Sequence, residues 1–119
     1  MVEILDILSA FVEVVVPVYK PSKIILFGSY AKGNVRKNSD IDVAVVVREI
    51  RESLLESESM LFRIRRQISS DIEPTLIIES EDNSGFLDHI LSYGKVVYEC
   101  DGLKEVSSFY DGSDDIEDN

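Results

Sequence analysis

The apolar residues of this chain recur in two rhythms, one of three to four residues and one of short unbroken runs. Between Val2 and Val16, Ile4, Leu8, Phe11, Val12 and Val15 fall at helical spacing, which predicts an amphipathic helix ended near Pro17. Lys20–Ser22 is a proline-containing turn. Lys23–Phe27 is a short apolar run that predicts a buried strand, closed abruptly by Gly28-Ser29, and Tyr30–Lys32 can open a short helix. Gly33–Ser39 is a polar loop. Ile41–Val47 is β-branched and is the clearest strand. Glu49–Ser69 predicts the longest helix, with Leu54, Leu55, Met60, Leu61, Ile64 and Ile68 as its apolar stripe. Ile72–Glu79 predicts a third strand, in which Pro74 lacks an amide donor and needs a sheet edge or a bulge. A helix at Phe86–Tyr93, capped by Gly94, and a last strand at Lys95–Glu99 complete the order helix, strand, strand, helix, strand, helix, strand. The class is α/β, of the α+β kind.

Composition adds limits. The 119 residues suit one domain with one modest core. No apolar stretch nears the roughly 20 residues of a membrane span, since Glu13 and Asp42 interrupt the best candidates. The acidic start Met1–Asp6 lacks the basic region of a secretory signal. The single cysteine, Cys100, cannot form an internal disulfide, which fits a reducing cytoplasm. The net charge of −11 is uneven: residues 101–119 hold seven acids against Lys104, a net −6, which leaves −5 for residues 1–100. The expected organisation is a domain over residues 1–100 and an acidic, disordered tail over 101–119. So acidic a chain gains nothing from the counterion release that drives nucleic-acid affinity, so general nucleic-acid binding is not expected.

Chemistry concentrates in one stretch. Asp40 and Asp42 flank a single residue at the entrance to the best strand. Alternate side chains of a strand leave on one face, which sets their α-carbons about 6–7 Å apart and points both carboxylates the same way. Such a pair gains when a hard divalent cation sits between the charges. Upstream, Gly28-Ser29 ends a strand: glycine lets a phosphate oxygen approach the backbone, and serine adds a hydroxyl donor. Each feature alone also suits a solvated charge pair or an ordinary tight turn. Their combination is more specific.

The run Gly28-Ser29-Tyr30-Ala31-Lys32-Gly33, with ten residues between Ser29 and Asp40 and then Ser39-Asp40-Ile41-Asp42-Val43, closely resembles the signature of the minimal nucleotidyltransferases of the polymerase-beta superfamily. The lead-in Ile24-Ile25-Leu26-Phe27 and the apolar strand after Asp42 belong to the same resemblance, which covers most of residues 2–99. It implies a polymerase-beta-like fold, a small mixed sheet with helices packed on it. It further implies that Gly28 and Ser29 hold a nucleoside triphosphate, ATP, and that Asp40 and Asp42 bind magnesium, two ions in all. A third carboxylate is required on a neighbouring strand. Asp71 and Glu73 would leave an extended Ile72–Leu76 on the same face, so spacing does not separate them; the resemblance falls on Glu73, within Ile72-Glu73-Pro74. Catalytic and metal roles are thus expected of Asp40, Asp42 and Glu73. Lys32 stands where the family usually has arginine, and lysine lacks the planar fork for bidentate phosphate contact.

Stand-alone members of this kind resemble the antitoxin half of a toxin–antitoxin pair whose partner is a HEPN-domain toxin, and the implied reaction is transfer of AMP to a toxin tyrosine. Two other readings stay open: a binding module that neutralises its partner stoichiometrically, and a transferase subunit that modifies a small molecule. Among remaining residues, His89 lies on a short helix away from the motif and reads as structural. Arg63, Arg65 and Arg66 read as a solvated helix face, and Tyr19, Tyr93 and Tyr98 as packing residues. Lys20, Lys23, Arg36 and Lys37 flank the proposed phosphate site and are candidates to neutralise the triphosphate.

Overall fold

The computed structural model describes residues 4–35, 39–82 and 84–100. The elements are α1 (Ile4–Tyr19), β1 (Lys23–Phe27), α2 (Ser29–Lys32), β2 (Ile41–Val47), α3 (Leu54–Ile68), β3 (Ile72–Ile78), a single 3-10 turn (Glu79–Glu81), α4 (Phe86–Tyr93) and β4 (Lys95–Glu99). The expected order holds. The acidic segment 101–119 lies outside the described residues.

Three boundaries moved, each for a local reason. Helix α1 ends at Tyr19, two residues past the Pro17 near which it was expected to stop, and carries that proline inside its last turn. Proline there costs the hydrogen bond to the carbonyl of Glu13, and both residues face solvent, where water can serve that carbonyl. Helix α3 starts at Leu54 rather than Glu49 because Ser53 is its N-cap: the Ser53 Oγ accepts the Glu56 amide at 3.1 Å. The Ser-Leu-Leu-Glu spacing of a capping box was present in the sequence. Strand β3 ends at Ile78, and Glu79 turns into the 3-10 segment.

The four strands form one mixed sheet in the order β3-β2-β1-β4. Strands β1–β2 and β1–β4 pair antiparallel, whereas β2–β3 pair parallel. Strand β3 is an edge, so Pro74 is accommodated as its chemistry required.

Alternation along β2 divides the core. Ile41, Val43, Val45 and Val47 pack with Leu8, Phe11, Val12 and Val15 of α1 and Leu61 and Ile64 of α3. Ala44 and Val46 face the other way, with Ile25, Ile77 and Ile90 of α4. A strand covered on both faces reads as an unbroken apolar run, which is what Val43–Val47 is. Asp42 shares the parity of Ala44 and Val46, and therefore belongs to the α4 side at the open end of β2. No helix of the described residues is long and apolar enough to cross a membrane.

Candidate active site

The site lies where β1 ends, β2 begins and β3 begins. Because β1 and β2 are antiparallel, the last residue of β1, Phe27, pairs with Asp42. Because β2 and β3 are parallel, Asp42 also stands beside Glu73. One aspartate is thus flanked by the glycine turn on one side and a second carboxylate on the other.

Gly28 connects β1 to α2 with φ +73 and ψ −154, a conformation that L side chains rarely adopt. A β-carbon built on it would stand 2.0 Å from Asp42 Oδ2 and 2.8 Å from Asp42 Cγ. The space a side chain would fill is occupied by the Asp42 carboxylate. The Gly28 carbonyl accepts the amides of Ala31 at 3.1 Å and Lys32 at 3.0 Å, and Ser29 is the first residue of the resulting helical turn. Early amides of a helical turn have no intrahelical acceptor, so they remain donors.

Asp42 is half-buried, and its pKa is raised by partial burial first, then by the charge of Asp40 and then by that of Glu73. The ionised site repels itself, and a cation relieves such strain. Asp40 precedes β2 and is exposed; Glu73, second residue of the edge strand, is also exposed. Asp71, the competing acid, stands outside β3 and uses its carbonyl to accept the Ile41 amide at 2.7 Å. Of the two, Glu73 has both the register opposite Asp42 and a named influence on its ionisation. Among the described residues, no three His, Cys, Asp or Glu side chains are gathered tightly enough to hold an ion unaided. The donors are all hard carboxylate oxygens, the type magnesium favours, and that ion routinely completes its shell with phosphate oxygens and water.

Other expectations need correcting. Lys23 sits at the far end of β1 from Gly28 and pairs with Glu99 at 3.8 Å, while Lys20 precedes it in a turn with φ 48. A five-residue strand separates the ends by about 15 Å, so neither lysine flanks the glycine turn. Arg36 and Lys37 lie outside the described residues. Arg65 is not simply solvated: it donates to the Ser70 carbonyl at 2.8 Å and lies over the Phe62 ring at 5.6 Å. Tyr19 gives its hydroxyl hydrogen to the Ser57 carbonyl, tying α1 to α3, and Tyr98 packs against the main core; both are packing residues.

Tyr93 is more than packing. Its Oη accepts the Gly28 amide at 3.1 Å, and the Lys32 ammonium lies 5.0 Å from its ring centroid. His89, one turn earlier, meets the same ring edge-on at 5.5 Å, and so stands nearer the motif than its place in the chain suggests. No spacing rule joins residues 65 apart in sequence. The usable signal was Gly94, whose added β-carbon would meet the Ile90 carbonyl at 2.6 Å and the Leu26 carbonyl at 2.9 Å, marking a close approach of the end of α4 to β1.

A mixed sheet with a glycine–serine turn abutting an aspartate, and a second carboxylate one strand over, is the candidate site these elements build. The polymerase beta nucleotidyltransferase family matches residues 12–102. The chain belongs to that family: it is a minimal nucleotidyltransferase, an enzyme. A Methanocaldococcus jannaschii relative that bears the name protein adenylyltransferase, MJ0141, is 30% identical over 95 residues, covering 77% of this chain and 96% of its own. The crystal structure of a Sulfolobus solfataricus nucleotidyltransferase superposes with a TM-score of 0.64 at 22% identity, over 84% of each chain. A toxin–antitoxin crystal structure with AMP-PNP superposes with a TM-score of 0.56 at 22% identity, over 84% of this chain and 80% of that one. At such identities the two structures establish a shared fold.

Proposed function

We propose that this enzyme transfers AMP from ATP to a hydroxyl of a partner protein, a tyrosine of a HEPN-domain toxin, and thereby acts as that toxin's antitoxin. The contact of Asp42 with Gly28 carries the reading. A glycine turn of the kind that admits phosphate and a carboxylate lie side by side, and a divalent cation between them would offset the repulsion of the two anions. The name of the Methanocaldococcus relative supports a protein acceptor, and the toxin–antitoxin structure with AMP-PNP supports both an adenine nucleotide and a toxin partner.

In this reading Gly28 and Ser29 bind the phosphates. Asp40, Asp42 and Glu73 would hold magnesium, two ions. When bound, magnesium neutralises charge on the phosphates and lowers the pKa of the acceptor hydroxyl. Glu73, exposed on the edge strand, takes the proton that the hydroxyl gives up. The hydroxyl oxygen bonds to the α-phosphorus as the bond to pyrophosphate breaks. Residues 1–100 form the transferase domain, with the acidic 101–119 outside it, and the protein works in the cytoplasm without general affinity for membranes or nucleic acids.

Incubating the purified protein with magnesium, the proposed HEPN-domain toxin and ATP labelled at either the α- or the γ-phosphate tests this. Label from α-labelled ATP alone should appear on the partner protein, and Asp42→Asn should abolish it. Tight complex formation without label, or label on a small acceptor and none on protein, contradicts the proposal.

A further inference from the structure

Tyr93 touches both ends of the Gly28–Lys32 segment. Its hydroxyl takes the amide of Gly28, and its ring lies under the ammonium of Lys32. The buried anchor of α4 is Ile90, whereas Tyr93 is only half-buried at the last position of the helix. Core packing therefore does not account for a tyrosine there. Phenylalanine would supply the same ring, but only the phenol gives the Gly28 amide an acceptor.

Two intrinsically adaptable groups are restrained by these contacts. A glycine at φ +73 has wide conformational freedom, so a bond from outside the turn narrows it to one shape. Lysine's ammonium rides on a long flexible stem, and an aromatic face restrains it. Ordering both before a ligand arrives lowers the cost of binding.

We propose that Tyr93 is a positioning residue for the nucleoside triphosphate: it holds the Gly28 turn in shape through its hydroxyl and poises Lys32 beside that turn through its ring. The inference rests on the reading of Gly28 and Ser29 as the phosphate turn. It assigns Lys32 an electrostatic role that does not need a planar fork, consistent with lysine in place of the family's arginine.

A role in pre-organising the nucleotide site shows in KM and not in kcat. Tyr93→Phe should raise KM for ATP about 3- to 10-fold, leave kcat within about twofold, and weaken AMP-PNP binding by a matching factor in calorimetry. Lys32→Met, at an exposed position that does not threaten folding, should also raise KM in the wild-type background. It should add little once Tyr93→Leu has removed the ring, because the two act as a unit. An unchanged KM in Tyr93→Phe, or equal losses from Lys32→Met with and without the ring, overturns the proposal. Asp42→Asn run in parallel separates the two claims. If that variant still transfers, the reading of the site has failed; if it is dead while Tyr93→Phe matches wild type, only the role of Tyr93 has failed.

Discussion

Asp42 lies so close to Gly28 that its carboxylate occupies the volume of the glycine's missing side chain, with Oδ2 2.0 Å from where a β-carbon would be. The position of the Asp42 carboxylate and the shape of the Gly28 turn are tied together by this one contact. Gly28→Ala should therefore destabilise the fold by about 1–3 kcal/mol, from the left-handed backbone and the displaced carboxylate together. Asp42→Gly in the same background should restore much of that stability and none of the transfer. Denaturant melts of the four proteins in the cycle measure the coupling; additive losses would mean that the contact is not close.

The charge around Asp42 has a consequence for stability. A carboxyl whose folded pKa is raised contributes stability that is complete below its unfolded pKa and is lost as pH rises through the folded value. At neutral pH without divalent ions, ionised Asp42 beside Asp40 and Glu73 is a liability. Asp42→Asn should raise the Tm in chelator by about 1–4 °C. Magnesium with AMP-PNP should raise the wild-type Tm and leave that of the variant nearly unmoved. A lower Tm for the variant in chelator would contradict the account.

Glu73 and Asp71 could not be separated by spacing, since both take the same parity in an extended chain. The parallel register with β2 sets Glu73 opposite Asp42, a pairing that is a tertiary property and that a single strand does not encode. Glu73→Gln should lower kcat by at least about 100-fold, while Asp71→Asn should stay within about threefold of wild type. Steady-state rates of α-labelled AMP transfer decide between them; the reverse order would move the third carboxylate to Asp71.

Much else was legible because the local signals were consistent. The β-branched run of β2, the apolar run of β1 and the glycine-serine-to-aspartate spacing each specify their own structure, and Pro74 limits its strand to an edge or a bulge, of which the sheet order shows the edge. The start of α3 is displaced because a cap outweighs periodicity, at Ser53. Sequence alone gives Tyr93 a packing role, because its contact with Gly28 exists only once α4 folds back onto β1. Lys20 and Lys23 were near the motif along the chain and a strand's length from it in space.

Tyr19 links α1 to α3 through the Ser57 carbonyl, and burial, aided by the Glu52 charge, pushes its pKa up to about 12. Its neutral form stabilises the fold fully below about pH 10, the unfolded value, and this contribution fades as pH rises towards 12. Tyr19→Phe should cost about 1 kcal/mol at neutral pH and flatten the alkaline fall in stability. Chemical denaturation at pH 8 and pH 11 reads both effects, and an unchanged alkaline slope would refute the link.

The central claim is that Asp40, Asp42 and Glu73 bind a divalent cation together with a nucleotide at the Gly28 turn. Electron paramagnetic resonance of manganese, titrated into the protein with and without AMP-PNP, tests it most directly. The account predicts that AMP-PNP strengthens manganese binding to the wild-type protein and that Asp42→Asn weakens it at least tenfold, a difference of about 1.4 kcal/mol. Equal manganese affinity in the two proteins, or binding indifferent to the nucleotide, would contradict it.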